Sequence, residues 1–384
     1  MMPAAFSFMT ATEILFGRGQ AGQAVTKIAA LGPRVLLVHG RDASRADWLS
    51  DALGDAGTAV ARFAVPGEPD MDLIAAGLNA ARNHGAAAVV ALGGGAVIDA
   101  GKAIAALVPA TRPILDHLEV VGRGLPLDAA PLPFAALPTT AGTGAEVTRN
   151  AVIGVPEHRR KVSLRDARML PRLAVVDPAL TDGCPRAVTL ASGLDALTQV
   201  IEPFTSTRAN AMTDALCRDA IPQALPALMR LMRGEDSAAR DTMAWVSLCG
   251  GLALANAGLG AVHGLAGPLG GLTGAAHGAI CGALLPPVLR ANRRAVSDPA
   301  LARRLDQVGH WIGDAFGQPY ATLDNACNLL ADWSRQAGLK RLADLGIAAD
   351  AQADAAEAAA TSSSMKANPA LLPTETLSAI MAEA

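Results

Sequence analysis

Apolar positions in the first half of the chain fall into short runs separated by helical periodicities. RVLLVH (34–39) is a continuous apolar run of strand length, and residues 72–84 carry helical apolar spacing. AAAVVAL (86–92) is a second short run, followed at once by GGG and by a helix-like stretch over 97–107. Residues 134–137 and 173–176 predict further strands. Strand, helix and strand at these intervals predict a parallel sheet covered by helices on both faces. After Asp177-Pro178 the pattern changes to long Ala/Leu-rich helical periodicities, as in 212–231 and 238–255. The expected organisation is an α/β N-terminal domain with a parallel Rossmann-like sheet over 1–181 and an all-helical domain over 182–384. The alanine-rich run 350–360 predicts a surface helix.

The run 250–289 contains no Asp, Glu, Lys or Arg and is long enough to cross a bilayer. Its many glycines, Pro268, Pro286, Pro287 and two histidines instead predict a buried helical core around a polar site. Composition narrows the picture further. The 384 residues are rich in small aliphatics and poor in aromatics, with 32 basic against 35 acidic side chains. There is no basic stripe, so nucleic acid is not an expected partner. Five scattered cysteines form no C-x-x-C pair, which argues against a zinc knuckle or disulfide framework and fits a reducing compartment. The N-terminal MMPAAFSFMTATEILFG lacks a basic n-region, so a cytoplasmic, membrane-free protein is expected.

Two glycine-rich stretches carry candidate chemistry. LGGGAVIDAGKA (92–103) lies between a predicted strand and a predicted helix. Bare backbone there admits a pyrophosphate, and a helix N-terminus offers it N–H groups. The motif is not G-x-G-x-x-G, so the ordinary dinucleotide fingerprint is absent. LPTTAGTGAEVT (137–148) follows another short strand and supplies hydroxyls; its Thr143 and Glu146 have capping-box spacing. Two such loops at the carboxyl edge of a parallel sheet suit a ligand with two phosphates.

In the second half, Asp195 and Gln199 stand four apart in SGLDALTQVIEPF (192–204), on one face of a predicted helix. His263 and His277 follow in GLGAVHGLAGPLGG and GAAHGAICGALLPP. Glycines and Pro268 between the histidines predict two converging elements rather than one helix. A carboxylate with two imidazoles suits Fe²⁺ or Zn²⁺ with a position left for substrate. Taken singly, each residue also has a plainer reading, as a hydrogen-bonded core histidine or a helix-face acid.

GGG-x-x-x-D-x-x-K followed by P-T-T-x-G-T-G-x-E resembles the paired signature of the iron-containing alcohol dehydrogenase superfamily, whose fold is dehydroquinate-synthase-like. The resemblance runs from ILFGRG (14–19) into the helical half. It implies that Gly94, Gly95, Ala96, Asp99, Thr139, Thr140 and Thr143 line the dinucleotide, and that Lys161 and Leu180 lie on its nicotinamide side. It implies Asp195, Gln199, His263 and His277 as metal ligands, with Asp195, His263 and His277 as the catalytic set. It also implies a homodimer or larger homo-oligomer acting on a small alcohol or carbonyl substrate.

Three departures matter. The family usually has His where Gln199 stands, and a neutral amide oxygen is a weaker donor for a transition metal, so the metal is weakened, changed or lost. A further family histidine is replaced by Gly267, which removes a proton-relay candidate. Where NAD-preferring members carry Asp after the first strand, this chain has Gly40, followed by Arg41 and Arg45. Those arginines could pair with a 2′-phosphate, favouring NADP or dual use; the plainer reading is exposed arginines on a turn beside Asp42. The segment 161–181 also resembles the maleylacetate reductase branch, which works without a required metal. That rival predicts cationic groups near the pocket, with Arg149 and Arg165 as candidates. A dehydroquinate-synthase-like lyase and a non-catalytic dinucleotide-binding protein are the remaining alternatives.

Overall fold

Four of the six strands in the main sheet are joined edge to edge through positions that bury completely or nearly so, which is why their sequences read as unbroken apolar runs. The computed structural model describes residues 5–384. Among the described residues, a parallel six-stranded sheet takes the order β1-β8-β5-β4-β2-β3, with β1 at Glu13–Phe16, β2 at Arg34–Gly40, β3 at Ala59–Val65, β4 at Ala88–Gly93, β5 at Phe134–Pro138 and β8 at Leu173–Val176. An antiparallel hairpin, β6 (Asn150–Val155) and β7 (Arg160–Arg165), stands apart from the sheet. Strands β2, β4, β5 and β8 are buried along almost their whole length, as parallel strands between two helical layers must be.

The two edge strands were not legible as strands. β3, AVARFAV, alternates half-exposed positions and carries Arg62. β1 is four residues with both ends exposed. Edge positions need no continuous apolar run because one side meets solvent. The β6–β7 hairpin shows clean alternation of buried and half-exposed residues, a period-2 signal that was present in the sequence.

The chain divides into two compact units. One comprises Thr10–Thr140 with Gly144–Asp182; the other comprises Gly183–Ala384 with Ala141–Thr143 and the described part of Met1–Met9. The second is helical. Its core gathers leucines, alanines and four cysteines from Arg186–Thr205, Ala211–Leu231, Ser237–Ala257, Ala261–Thr273, His277–Ala295 and later helices. Helix Ala211–Leu231 starts at a capping box in which Asn210 and Thr213 satisfy each other's backbone N–H groups.

Helix Ala349–Ala360 is a surface helix, with Asp354 and Glu357 exposed, but its composition hides a buried face. Ala355, Ala356 and Ala359 are buried in the helical core; alanine is small enough to let a helix pack closely, so a low-complexity run conceals a core face. The uncharged stretch 250–289 is divided among three helices. Among the described residues no single helix is long and apolar enough to cross a membrane, and the pair Ser237–Ala257 and Ala261–Thr273 is bent by 100°. All five cysteines are buried and unpaired.

Candidate functional site

In the sheet unit, chain order supplies the ligand-binding edge. From β2 the chain moves outward to β3, and from β4 it moves the opposite way to β5. The carboxyl ends of β2 and β4 therefore flank a topological switch point, where open α/β sheets leave a crevice for ligands. β2 ends at Gly40, with Arg41 next; β4 ends at Gly93 and Gly94 caps helix Gly95–Leu107. On the other side of β4, Thr139 and Thr140 follow β5, and the Thr139 N–H donates to the Gly93 carbonyl at 2.9 Å. A Cβ placed on Gly94 would sit 3.3 Å from Thr140 Oγ1. Gly40, Arg41, Gly94, Gly95, Ala96, Thr139 and Thr140 thus share one edge of the sheet.

The other predicted dinucleotide residues follow or flank that edge, with partners of their own. Asp99, one turn into helix Gly95–Leu107, accepts the Val152 N–H at 3.0 Å and so tethers β6. Lys161 on β7 has its ammonium 3.3 Å from Glu68. Leu180 sits in the short turn Pro178–Thr181 after the carboxyl end of β8, packed against the apolar layer on one face of the sheet. Thr143 groups with the helical unit. Thr143 and Glu146 form no capping box: only a three-residue turn, Ala145–Val147, follows, headed by Gly144 in the left-handed region with no side-chain cap. Arg165 of the oxo-acid reading pairs with Glu119 at 2.9 Å on the surface.

The lysine of the D-x-x-K motif has a use that sequence reasoning did not assign. Lys102 is buried, and its ammonium donates to Ala145 O at 2.7 Å, Thr148 Oγ1 at 2.9 Å and Asn150 O at 2.8 Å. It therefore clamps the loop that leads into the hairpin. Burial lowers it to about 8 against the pull of Asp99 and Glu146. Burial likewise raises Glu146 to about 7.

In the helical unit, helix Arg186–Thr205 presents Asp195, Gln199 and Glu202 at positions i, i+4 and i+7 of one face. Helix Ala261–Thr273 starts after the 100° bend, so His263 falls in its first turn. The Val262 N–H donates to Glu202 Oε1 at 2.7 Å, and the first helical N–H, of Ala261, goes to Asn368 Oδ1. Glu202 therefore occupies the N-terminal end of that helix, where negative charge is favoured. Its other oxygen, Oε2, takes the His263 Nδ1 proton at 2.7 Å. A Cβ on Gly260 would come within 2.9 Å of the Glu202 carboxylate, so only glycine leaves that end open.

His277 opens the next helix, His277–Ala295. The break between the histidines falls at Gly274, which is left-handed, and not at Pro268, which lies within the first of the two helices. Gly278 sets the approach: a Cβ there would lie 2.2 Å from the Ala191 carbonyl and 3.1 Å from Asp195 Cβ. The two helices consequently meet without a spacer. His263 Nε2 and His277 Nε2 stand 3.4 and 3.9 Å from Asp195 Oδ1. Cys281, one turn after His277, has its sulfur 3.6 Å from His277 Nε2 and 3.9 Å from His263 Nε2. Ligand atoms of Asp195, His263, His277 and Cys281 all lie within 4.8 Å of one another.

These atoms fit a cation. With Nδ1 bonded to Glu202, His263 points Nε2 at an Asp195 oxygen, a contact that needs a proton or a metal ion between the two atoms. Asp195 Oδ1 is buried with no hydrogen-bond partner, and so is Gln199 Oε1. Buried acceptors facing one another are costly unless positive charge lies between them. The same demand shows in protonation. Burial opposes charge on the imidazoles, yet the Cys281 sulfur and the Asp195 and Glu202 carboxylates outweigh it: His263 is held well above its usual range and His277 is raised to about 9. Burial would raise Asp195, but the histidines hold it low. Gln199 Nε2 donates to the Gly142 carbonyl at 3.2 Å. Gly267, one turn after His263, has open space where a side chain would project.

Sheet edge and acid–imidazole cluster together define a dinucleotide-dependent metalloenzyme. A family model for iron-containing alcohol dehydrogenases matches residues 11–178, and the model for the C-terminal part of that family matches 189–384. The chain belongs to the iron-containing alcohol dehydrogenase family. It is 34% identical over 305 residues to the probable alcohol dehydrogenase EutG of Salmonella typhimurium, a match covering 79% of this chain and 74% of that one. Its fold is similar to the crystal structure of a 1,3-propanediol oxidoreductase, at 28% identity and TM-score 0.85 with 99% of each chain covered. A sulfoacetaldehyde reductase from Bifidobacterium kashiwanohense, crystallised with NAD+, is similar at 26% identity and TM-score 0.83, covering 99% of this chain and 98% of that one. The protein is accordingly an oxidoreductase of the alcohol dehydrogenase type, working with a nicotinamide dinucleotide and a metal.

Proposed function

We propose that Asp195, His263 and His277 hold a divalent metal at which a small, uncharged alcohol or aldehyde is oxidised or reduced, with the dinucleotide phosphates on the Gly93–Ala96 turn and Thr139–Thr140. The observation that carries this reading is the convergence of His263 Nε2 and His277 Nε2 on the buried Asp195 Oδ1, at 3.4 and 3.9 Å. When bound, the metal supplies Lewis acidity toward a substrate oxygen and the nicotinamide supplies or takes the hydride. The chain's own residues do the rest. Glu202 fixes the His263 tautomer, so that Nε2 stays available. Helix Gly95–Leu107 offers N–H groups to the pyrophosphate. With Gly267 in place, no side chain is assigned to proton delivery.

Small substrates are supported by the relatives named for 1,3-propanediol and sulfoacetaldehyde, and uncharged ones by the charge-free stretch 250–289. A reducing cytoplasm is supported by five buried, unpaired thiols. A homodimer or larger assembly is part of the same reading, and sedimentation of the purified protein tests it.

The test is metal analysis of the purified protein joined to NADH and NADPH oxidation against a panel of small aldehydes. Chelator should abolish turnover and added Fe²⁺ or Zn²⁺ restore it, and His263→Ala should be inactive. Retained kcat in chelator and in His263→Ala would overturn this reading in favour of a metal-free, maleylacetate-type reductase.

A further inference from the structure

We propose that Cys281 is a fourth protein ligand of the metal, replacing the imidazole absent at position 199, and that the resulting Asp195–His263–His277–Cys281 set selects zinc over iron(II). The inference rests on the metal site proposed above and deepens it.

Three independent observations lead there. The first is spacing. Zinc bonds of about 2.0–2.1 Å to nitrogen or oxygen and about 2.3 Å to sulfur put neighbouring ligand atoms of a tetrahedron roughly 3.3 Å apart, or about 3.6 Å where one is sulfur. Here the nitrogen–oxygen separations are 3.4 and 3.9 Å and the sulfur–nitrogen separations 3.6 and 3.9 Å. Four edges of the cluster therefore lie near those of a zinc polyhedron, with sulfur at a corner, and every pair of ligand atoms is within 4.8 Å.

The second is how the sulfur is delivered. His277 and Cys281 are i and i+4 on one helix, so they project from the same face. Gly278 brings that face against Asp195. The arrangement needs no rearrangement of backbone to bring sulfur and imidazole onto one ion.

The third is what Gln199 does. Its amide nitrogen is committed to the Gly142 carbonyl, which fixes the side chain, and its oxygen is a neutral donor. A thiolate is a stronger and softer ligand than an amide oxygen. Adding sulfur to two imidazoles moves preference toward zinc, which also stands above iron(II) in intrinsic affinity for such sites. Four protein ligands still admit substrate, because tetrahedral zinc can expand to five positions.

Cobalt(II) is the probe, since thiolate coordination gives it a near-ultraviolet charge-transfer band that nitrogen and oxygen ligands do not. Metal-stripped full-length protein is titrated with Co²⁺, then with Zn²⁺ and Fe²⁺ in competition. The expected result is one tight equivalent of cobalt with the charge-transfer band, zinc displacing iron(II) with at least tenfold preference, and loss of the band in Cys281→Ser while the other four cysteines remain. One equivalent of cobalt bound to the wild-type protein without that band overturns the role of Cys281 and leaves the metal site intact. No cobalt bound to the wild-type protein overturns both. The wild-type spectrum decides the matter even if Cys281→Ser fails to fold.

Discussion

Glu202 and His263 form a 2.7 Å hydrogen bond between two nearly buried side chains, carboxylate oxygen to Nδ1, from helices that the chain joins only after two others have intervened. Ligating histidines are oriented in this way by an acceptor on the ring nitrogen that faces away from the metal. Glu202→Gln keeps shape and one acceptor but weakens the grip on the Nδ1 proton. Metal affinity should fall by about 10- to 100-fold with the fold retained, as read by competition against a chelator of known strength. Unchanged affinity would remove Glu202 from the positioning role.

Gly278 is the contact point of helices His277–Ala295 and Arg186–Thr205. A Cβ there cannot share space with the Ala191 carbonyl at 2.2 Å, so Gly278→Ala forces the helices apart. We expect a loss of about 1–3 kcal/mol in stability and a larger proportional loss of metal binding, measured by denaturant unfolding with and without zinc. If stability fell and metal affinity did not, the approach of these helices would be irrelevant to the site.

Gly40 ends β2 with open space around its missing side chain, and Arg41 beyond it donates to the Pro66 carbonyl. Gly40→Asp adds an acceptor for a ribose 2′-hydroxyl and a repulsive charge for a 2′-phosphate. The ratio of kcat/KM for NADH to that for NADPH should rise roughly 10- to 100-fold, equivalent to about 1.4–2.8 kcal/mol. An unchanged ratio would mean that the adenosine ribose is not bound at the end of β2.

Stability should depend on pH through the buried pair in the sheet unit. Burial raises Glu146 from 4.5 to about 7, so the folded chain binds more protons than the unfolded chain between those values. Stability therefore falls as pH rises across that window. Lys102, lowered by burial from 10.5 to about 8, works in the opposite sense: stability rises with pH from about 8 to 10.5. Glu146→Gln should flatten the lower slope by about 2–3 kcal/mol and, by removing a charge that holds Lys102 up, extend the upper slope to lower pH. Urea unfolding at about pH 5 and pH 7.5 checks this, and an undiminished fall in the variant would assign the slope to other groups.

The central strands and the glycine turn after β4 were readable because burial on both faces imposes a one-sided composition. Edge strands β1 and β3 were not, because a strand that meets solvent on one side carries no such constraint. Thr143 and Glu146 misled for a definite reason: spacing alone suggests a cap, but Gly144 turns left-handed and the helix never forms. Glu202 was legible in principle, as the third polar residue on the Asp195 face, yet nothing in a single sequence says which buried acid finds an imidazole from a distant helix. Cys281 stood four residues after His277 in plain view. A search confined to paired cysteines passes over a mixed histidine–cysteine step on one helix.

His277 differs from its neighbours in one further respect. A third of its side chain meets solvent, against 7% for His263 and 3% for Asp195. On this exposure alone, an ion bound by the cluster meets solvent first at this imidazole. His277 is thus the group of the cluster most open to solvent, and His277→Ala should alter the speed of metal loading and stripping even under conditions where the deeper ligands still retain the ion.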